Sequence, residues 1–173
     1  MSTHPLAEIL ARHPNLTALG FEDDPQPDPE QAAARAKRIQ ELHGSADHWD
    51  GLCTWIRKHL PPQPRSRGYF SSYALKCIAE DELGPVPHGL FIAAMLHCGH
   101  RFIRQGHHNP NAYFPLDKRR VLGLDRRAER RRRERADSSE PRAAGIERAG
   151  SSEQPSAISY KLIANRQSLT PER

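Results

Sequence analysis

Seven arginines fall within residues 126–135: Arg126, Arg127, Arg130, Arg131, Arg132, Arg133 and Arg135. Lys118, Arg119 and Arg120 precede them. The chemistry this run suggests is phosphate binding. A guanidinium presents a planar fork of donors that matches two phosphate oxygens. Each neutralised phosphate also releases condensed counterions, so an array of such groups binds nucleic acid backbones. Phosphate contacts of this kind carry no sequence information. Base edges would have to be read elsewhere, and the candidates are Arg65, Arg67, Arg101 and Arg104, with the polar run His107-His108-Asn109.

Other chemistries are poorly supplied. His97, Cys98, His100, His107 and His108 are close in sequence, but a zinc site typically takes paired ligands at short spacing, and the chain has no C-x-x-C. Cys53, Cys77 and Cys98 each fall on an apolar face, where a thiol acts as a small hydrophobe. No metal and no cofactor are expected. The segment His107-His108-Asn109-Pro110-Asn111 resembles the start of a His-Asn-His nuclease, but that chemistry needs a later metal-binding histidine and none follows His108. The chain has no carboxylate pair, no glycine-rich phosphate loop and no Gly-x-Ser-x-Gly elbow. No catalytic residue is assigned, and the expectation is a protein that is not an enzyme.

The elements that would position these groups are mostly helical. Pro5–His13 reads as a short amphipathic helix that ends before Pro14. Asp28-Pro29-Glu30 is a helix start, with Asp at the N-cap, Pro at the first helical position and Glu in the first turn. That helix runs to about His43 and stops at Gly44. Ser45 is expected to cap a second helix whose Trp49, Leu52, Cys53, Ile56 and Leu60 follow the helical period until Pro61-Pro62. Ser71 or Ser72 caps a third, with Leu75, Ile78, Ala79 and Leu83 on one face. Its other side is expected to expose Lys76 with Glu80, Asp81 and Glu82. The fourth, about Gly89–Cys98, is apolar nearly all round and belongs in the middle of a core. Phe102–Arg104 and Tyr113-Phe114 suggest two strands of a hairpin around the turn residues 106–111.

The fold class is therefore mainly α with a C-terminal β-hairpin (α+β), in winged-helix-like order. Residues 1–27 are expected to be an N-terminal segment and acidic proline-rich linker, and 28–117 the folded domain. Residues 118–137 should form an arginine-rich helical arm that nothing holds to the core, and 138–173 a flexible tail, with Ser156–Ala164 as a weak strand signal. Composition agrees with a compact part smaller than the whole chain: 36% of residues are hydrophobic and 6% aromatic, too few to offset the entropy of ordering every residue. The net charge of +5 is unevenly spread, because residues 1–117 are slightly acidic while 118–135 hold a large cationic excess. No run of 18 apolar residues exists, so no membrane span is expected. The N-terminus lacks a basic region followed by an apolar core. With three cysteines, a reduced, cytoplasmic setting is expected.

Between residues 66 and 115 a pattern runs Ser72-Tyr73-x-Leu75-Lys76, Glu80, Gly89-x-Phe91-Ile92-Ala93-Ala94, Gly99, Gly106 and Asn111-Ala112-x-Phe114. It resembles a recurrent, mostly uncharacterised module in small proteins of bacteriophages and other mobile elements. The resemblance implies a bacterial setting and a small accessory or regulatory protein. It implies no catalytic residue. Two expectations follow. One is a non-enzymatic nucleic-acid-binding protein, contacting DNA rather than RNA through the arm. The other is a protein-interaction module, such as a mobile-element inhibitor of a host protein complex.

Overall fold

The structure, a computed structural model, describes residues 4–22, 28–62, 68–106 and 108–139. The chain divides into two compact units, residues 1–133 and 134–173. Among the described residues six α-helices and four short strands follow one another: α1 Pro5–Arg12, β1 Leu16–Thr17, β2 Gly20–Phe21, α2 Pro29–Gly44, α3 Trp49–His59, β3 Gly68–Ser71, α4 Ser72–Leu83, α5 His88–His97, β4 Tyr113–Leu116 and α6 Lys118–Ser139. The class is α+β, mostly helical with two small antiparallel sheets.

The helix α5 is the centre. Every residue from His88 to Met95 is buried, as its all-round apolar sequence requires. It packs against α1, α3, α4 and β2. The apolar faces of α3 (Trp49, Leu52, Cys53, Ile56) and α4 (Leu75, Ile78, Ala79) close on it. Side-chain caps start the helices as the sequence predicts. Asp28 Oδ1 accepts from Gln31 N at 2.8 Å, and Ser71 Oγ accepts from Ala74 N at 3.3 Å. Ser45 differs: its hydroxyl donates back to Leu42 O at 2.8 Å, and a 3-10 turn over Ala46–His48 separates it from α3.

The N-terminal segment, expected to lie outside the domain, is part of it. Leu6, Ile9, Leu16 and Phe21 are buried. The β1–β2 turn caps α5, which has no side-chain cap of its own: Gly89 N donates to Ala18 O at 3.1 Å, and His88 Nδ1 donates to Leu19 O at 3.0 Å. The fit is close enough to dictate glycines. A Cβ on Gly89 would lie 1.8 Å from Thr17 O. Gly20 has φ +107°, and a Cβ there would lie 2.4 Å from Pro110 O. Glu22 fastens the segment to α2, accepting from Arg38 Nε at 2.6 Å and Arg38 Nη2 at 3.0 Å. Sequence places the segment outside because these links join residues 16 to 71 positions apart, most of them through carbonyls that leave no mark on composition.

The C-terminal strand also differs from expectation. Main-chain pairing joins β4 to β3, with Gly68 opposite Leu116 and Ser71 opposite Tyr113. The expected hairpin partner contributes one bridge, Ile103 with Tyr113. Phe70 and Phe114 face each other in the core, so inward packing, more than chain proximity, selects the partner strand. The expected tail over 138–173 and the strand at Ser156–Ala164 lie, beyond residue 139, outside the described residues.

Candidate nucleic-acid interface

The arginine-rich segment is helical, as its composition predicts, but it is not a loose arm. As far as Arg133 it belongs to the compact unit. Val121, Leu124 and Ala128 are 2%, 6% and 0% exposed. They recur at three- and four-residue spacing and so form one helix face. Two arginines flank that face and are spent on the fold. Arg131 Nη2 lies 2.8 Å from Glu82 Oε1, and Arg132 Nη2 lies 2.9 Å from Asp81 Oδ2 and donates to Cys77 O at 2.9 Å. Of the acidic end of α4, expected to face solvent and repel phosphate, Asp81 is covered at 8% exposed, while Glu82 stays exposed but paired with Arg131. The detached cationic arm and the exposed acidic face turn out to be each other's partners. Glu82 also accepts from Trp55 Nε1 at 3.0 Å, which ties α3 into the same network.

What remains of the cationic run forms a surface at the other end of α6. Asp117 Oδ1 accepts from Arg120 N at 2.9 Å and caps the helix start. The first turn holds Lys118, Arg119 and Arg120 without a carboxylate. This end abuts the C-terminus of α3, where Arg120 Nη1 lies 3.4 Å from the His59 carbonyl. Between the two helix ends is a cleft of about 550 Å³ lined by Lys58, His59, Arg119, Arg120, Gly123, Leu124 and Arg127. Lys58, Arg119, Arg120 and Arg127 make no ion pair with any described residue. Four cations with no ion pair among the described residues, gathered around a recess, raise the local concentration of anions. His59 is 3.7 Å from Glu82. Burial holds it below the usual imidazole range; the pull of Glu82 is opposed by Lys58, Arg127 and Arg131. It is thus neutral near pH 7 and can offer a hydrogen bond without adding charge.

The other nominated residues scatter. Lys118, Arg126 and Arg130 are exposed on α6, and helical spacing puts Arg126, Arg130 and Arg133 on its outer side. Arg133 pairs with Glu129 at 3.0 Å. Arg135 belongs to the second unit. Arg101 is exposed after α5. Arg104 is committed to the fold, its guanidinium 5.0 Å over the Phe21 ring and its Nη2 3.3 Å from Asn109 O. Arg65, Arg67 and His107 lie outside the described residues. Lys58 and His59 were missed because they sit in an otherwise ordinary amphipathic helix. Only their place in its last turn, where cations favour the helix end, could have drawn attention to them.

One catalytic arrangement was also invisible in the sequence. Ser72 Oγ is 2.7 Å from His88 Nε2. Because Leu19 O can only accept, His88 Nδ1 carries the proton and Nε2 accepts from the serine. This is a nucleophile–base geometry, yet Ser72 is fully buried and its oxygen already accepts from Ala112 N at 3.0 Å. The pair ties α4, α5, the residue before β4 and the β1–β2 turn together and offers no substrate a way in. Among the described residues no group of three or more His, Cys, Asp or Glu is placed to hold a metal ion, and no helix is long and apolar enough to cross a membrane. The chain matches no protein family, no curated protein and no solved structure.

Proposed function

We propose that the protein is a non-enzymatic nucleic-acid-binding accessory or regulatory protein that holds the phosphate backbone, of DNA before RNA, at the α3–α6 surface. The observation that carries this reading is the convergence of Lys58, Arg119, Arg120 and Arg127 on one cleft with no carboxylate partner among the described residues. Phosphate is the natural ligand of such a set. The order α4, α5, bridged segment, β4 fits a winged-helix-like arrangement, but the second helix of the pair, which in that fold reads the major groove, is here enclosed on every side. Binding is therefore independent of sequence. The test is fluorescence anisotropy with a labelled duplex over a salt series. Lys58→Glu and Arg127→Glu should each weaken binding at least about tenfold and flatten its salt dependence by about one phosphate contact. Wild-type binding that ignores salt, or a double variant that binds like wild type, would overturn the reading.

A second reading, contact with a host protein complex, is supported by Leu19 at 61% and Tyr73 at 49% exposed. Both flank His88: Leu19 through its carbonyl, and Tyr73 through an edge-on ring contact at 5.8 Å. Exposed apolar groups of this size favour a protein partner. Capture that survives nuclease treatment and is lost in Leu19→Asp would favour this reading over the first.

A further inference from the structure

Apart from the cationic cleft, two cysteines far apart in sequence are brought together. Cys53 is buried on the face of α3 that packs against α5, and Cys98 terminates α5 and is half-buried. Cys98 Sγ donates to the Cys53 carbonyl at 3.8 Å, which sets the two cysteines side by side where α3 passes the end of α5. The environment treats them oppositely. Cys53 is pushed up by the neighbouring Cys98 sulfur and by burial. Cys98 is held down at about 7 by the neighbouring Cys53 thiol, against the effect of burial, with Arg57 helping. Arg57 sits one helical turn beyond Cys53. A thiolate-prone, partly exposed sulfur next to a cation and a second thiol has the makings of a redox-active cysteine.

We propose that Cys98 and Cys53 are a dithiol oxidation site, with Cys98 reacting with hydroperoxides and Cys53 resolving the product into a disulfide between α3 and the end of α5. The Cys98 thiolate attacks one peroxide oxygen. The O–O bond breaks, hydroxide leaves and takes up a proton as water, and Cys98 becomes a sulfenic acid. The Cys53 sulfur then attacks the Cys98 sulfur. An S–S bond forms, the S–O bond breaks, and the departing hydroxide takes the Cys53 proton as a second water. Two electrons pass from the dithiol to one peroxide. The adjacency of the two groups makes the second step intramolecular, so it outruns further oxidation of Cys98. Cys77 on α4 has no neighbouring thiol among the described residues and is the internal reference.

The test treats the full chain with equimolar hydrogen peroxide, traps remaining thiols with an alkylating agent, and maps peptides without reduction. The expected product is a Cys53–Cys98 cross-link with Cys77 alkylated. In Cys53→Ala the sulfenic acid on Cys98 should persist and react with dimedone, and in Cys98→Ser neither product should form. Because Cys98 is only half-buried, Cys98→Ser should fold even if Cys53→Ala is weakened. Overoxidation of Cys98 in the wild type without a cross-link, a cross-link that includes Cys77, or oxidation of Cys77 as fast as Cys98 would each overturn the proposal.

Discussion

Leu124→Ala separates a docked α6 from a free one. Leu124 is 6% exposed and shares the buried helix face with Val121 and Ala128. Truncating a buried leucine costs the transfer of its lost methylenes plus the cavity left behind, about 2–5 kcal/mol. Its place on a helix covering the core, with room to relax, puts it at the lower end, about 2–3 kcal/mol. With an m-value of about 2 kcal/mol/M the urea midpoint should fall by about 1 M or slightly more. Trp49 and Trp55 are 3% and 4% exposed, so intrinsic fluorescence reports the transition. Arg126→Ala, on the exposed side of the same helix, is the control and should change stability by less than about 0.5 kcal/mol. Truncation at residue 117 should be far worse than either. It removes Val121, Leu124 and Ala128 together and leaves Asp81 buried without Arg132. Superimposable unfolding curves for wild type and Leu124→Ala would refute the docked helix.

Gly89→Ala should destabilise by more than about 4 kcal/mol or prevent folding, because its Cβ would sit 1.8 Å from the Thr17 carbonyl; a urea midpoint within error of wild type would contradict the close seating of the β1–β2 turn on α5. Asp125→Asn should stabilise at neutral pH. Burial raises the Asp125 carboxyl above its ordinary value, with Glu129 and Asp81 adding and Arg132 opposing. A group raised in the folded state contributes its full share of stability below the unfolded value, near 3.8, and loses it as pH rises through the folded one. The gain from Asp125→Asn should therefore shrink as pH falls toward the unfolded value, and urea titrations at several pH values would detect a constant gain as a contradiction.

Local signals read well wherever one element's sequence decides its own fate. The Asp28 cap, the α3 stripe and the all-apolar α5 are each settled within a dozen residues. What failed to show was pairing at long range. In α6 the apolar residues of the docking face are Val121, Leu124 and Ala128, set between arginines and too thin a stripe to stand out from its charges. The rest of its adhesion comes from guanidinium groups that look, in sequence, identical to those left in solvent. The same holds for Glu80, Asp81 and Glu82: three carboxylates at the end of a helix read as solvated until Arg131 and Arg132 are seen to reach two of them. Lys58 entered the candidate site for a related reason, since a single lysine acquires meaning only when a second helix end brings three arginines beside it.

This division of the cations fixes how steeply binding should depend on salt. A loose arm could lay all ten basic groups of residues 118–135 on a duplex, and its log–log salt slope would approach about −9. A docked α6 cannot, because Arg131 and Arg132 would have to abandon Glu82 and Asp81, and Asp81 would then lie buried without its counter-ion. The cleft set of Lys58, Arg119, Arg120 and Arg127 converges on one recess, and if it carries the binding the slope should be about −4. The variants then divide in kind. Arg119→Ala and Arg127→Ala should each reduce the slope by about one and leave the urea midpoint nearly unchanged. Arg131→Ala and Arg132→Ala should lower the midpoint and leave the slope alone. If instead the slope is steep and all four variants reduce it equally, the helix leaves its dock to bind, and phosphate competes directly with the acidic end of α4 for the same arginines.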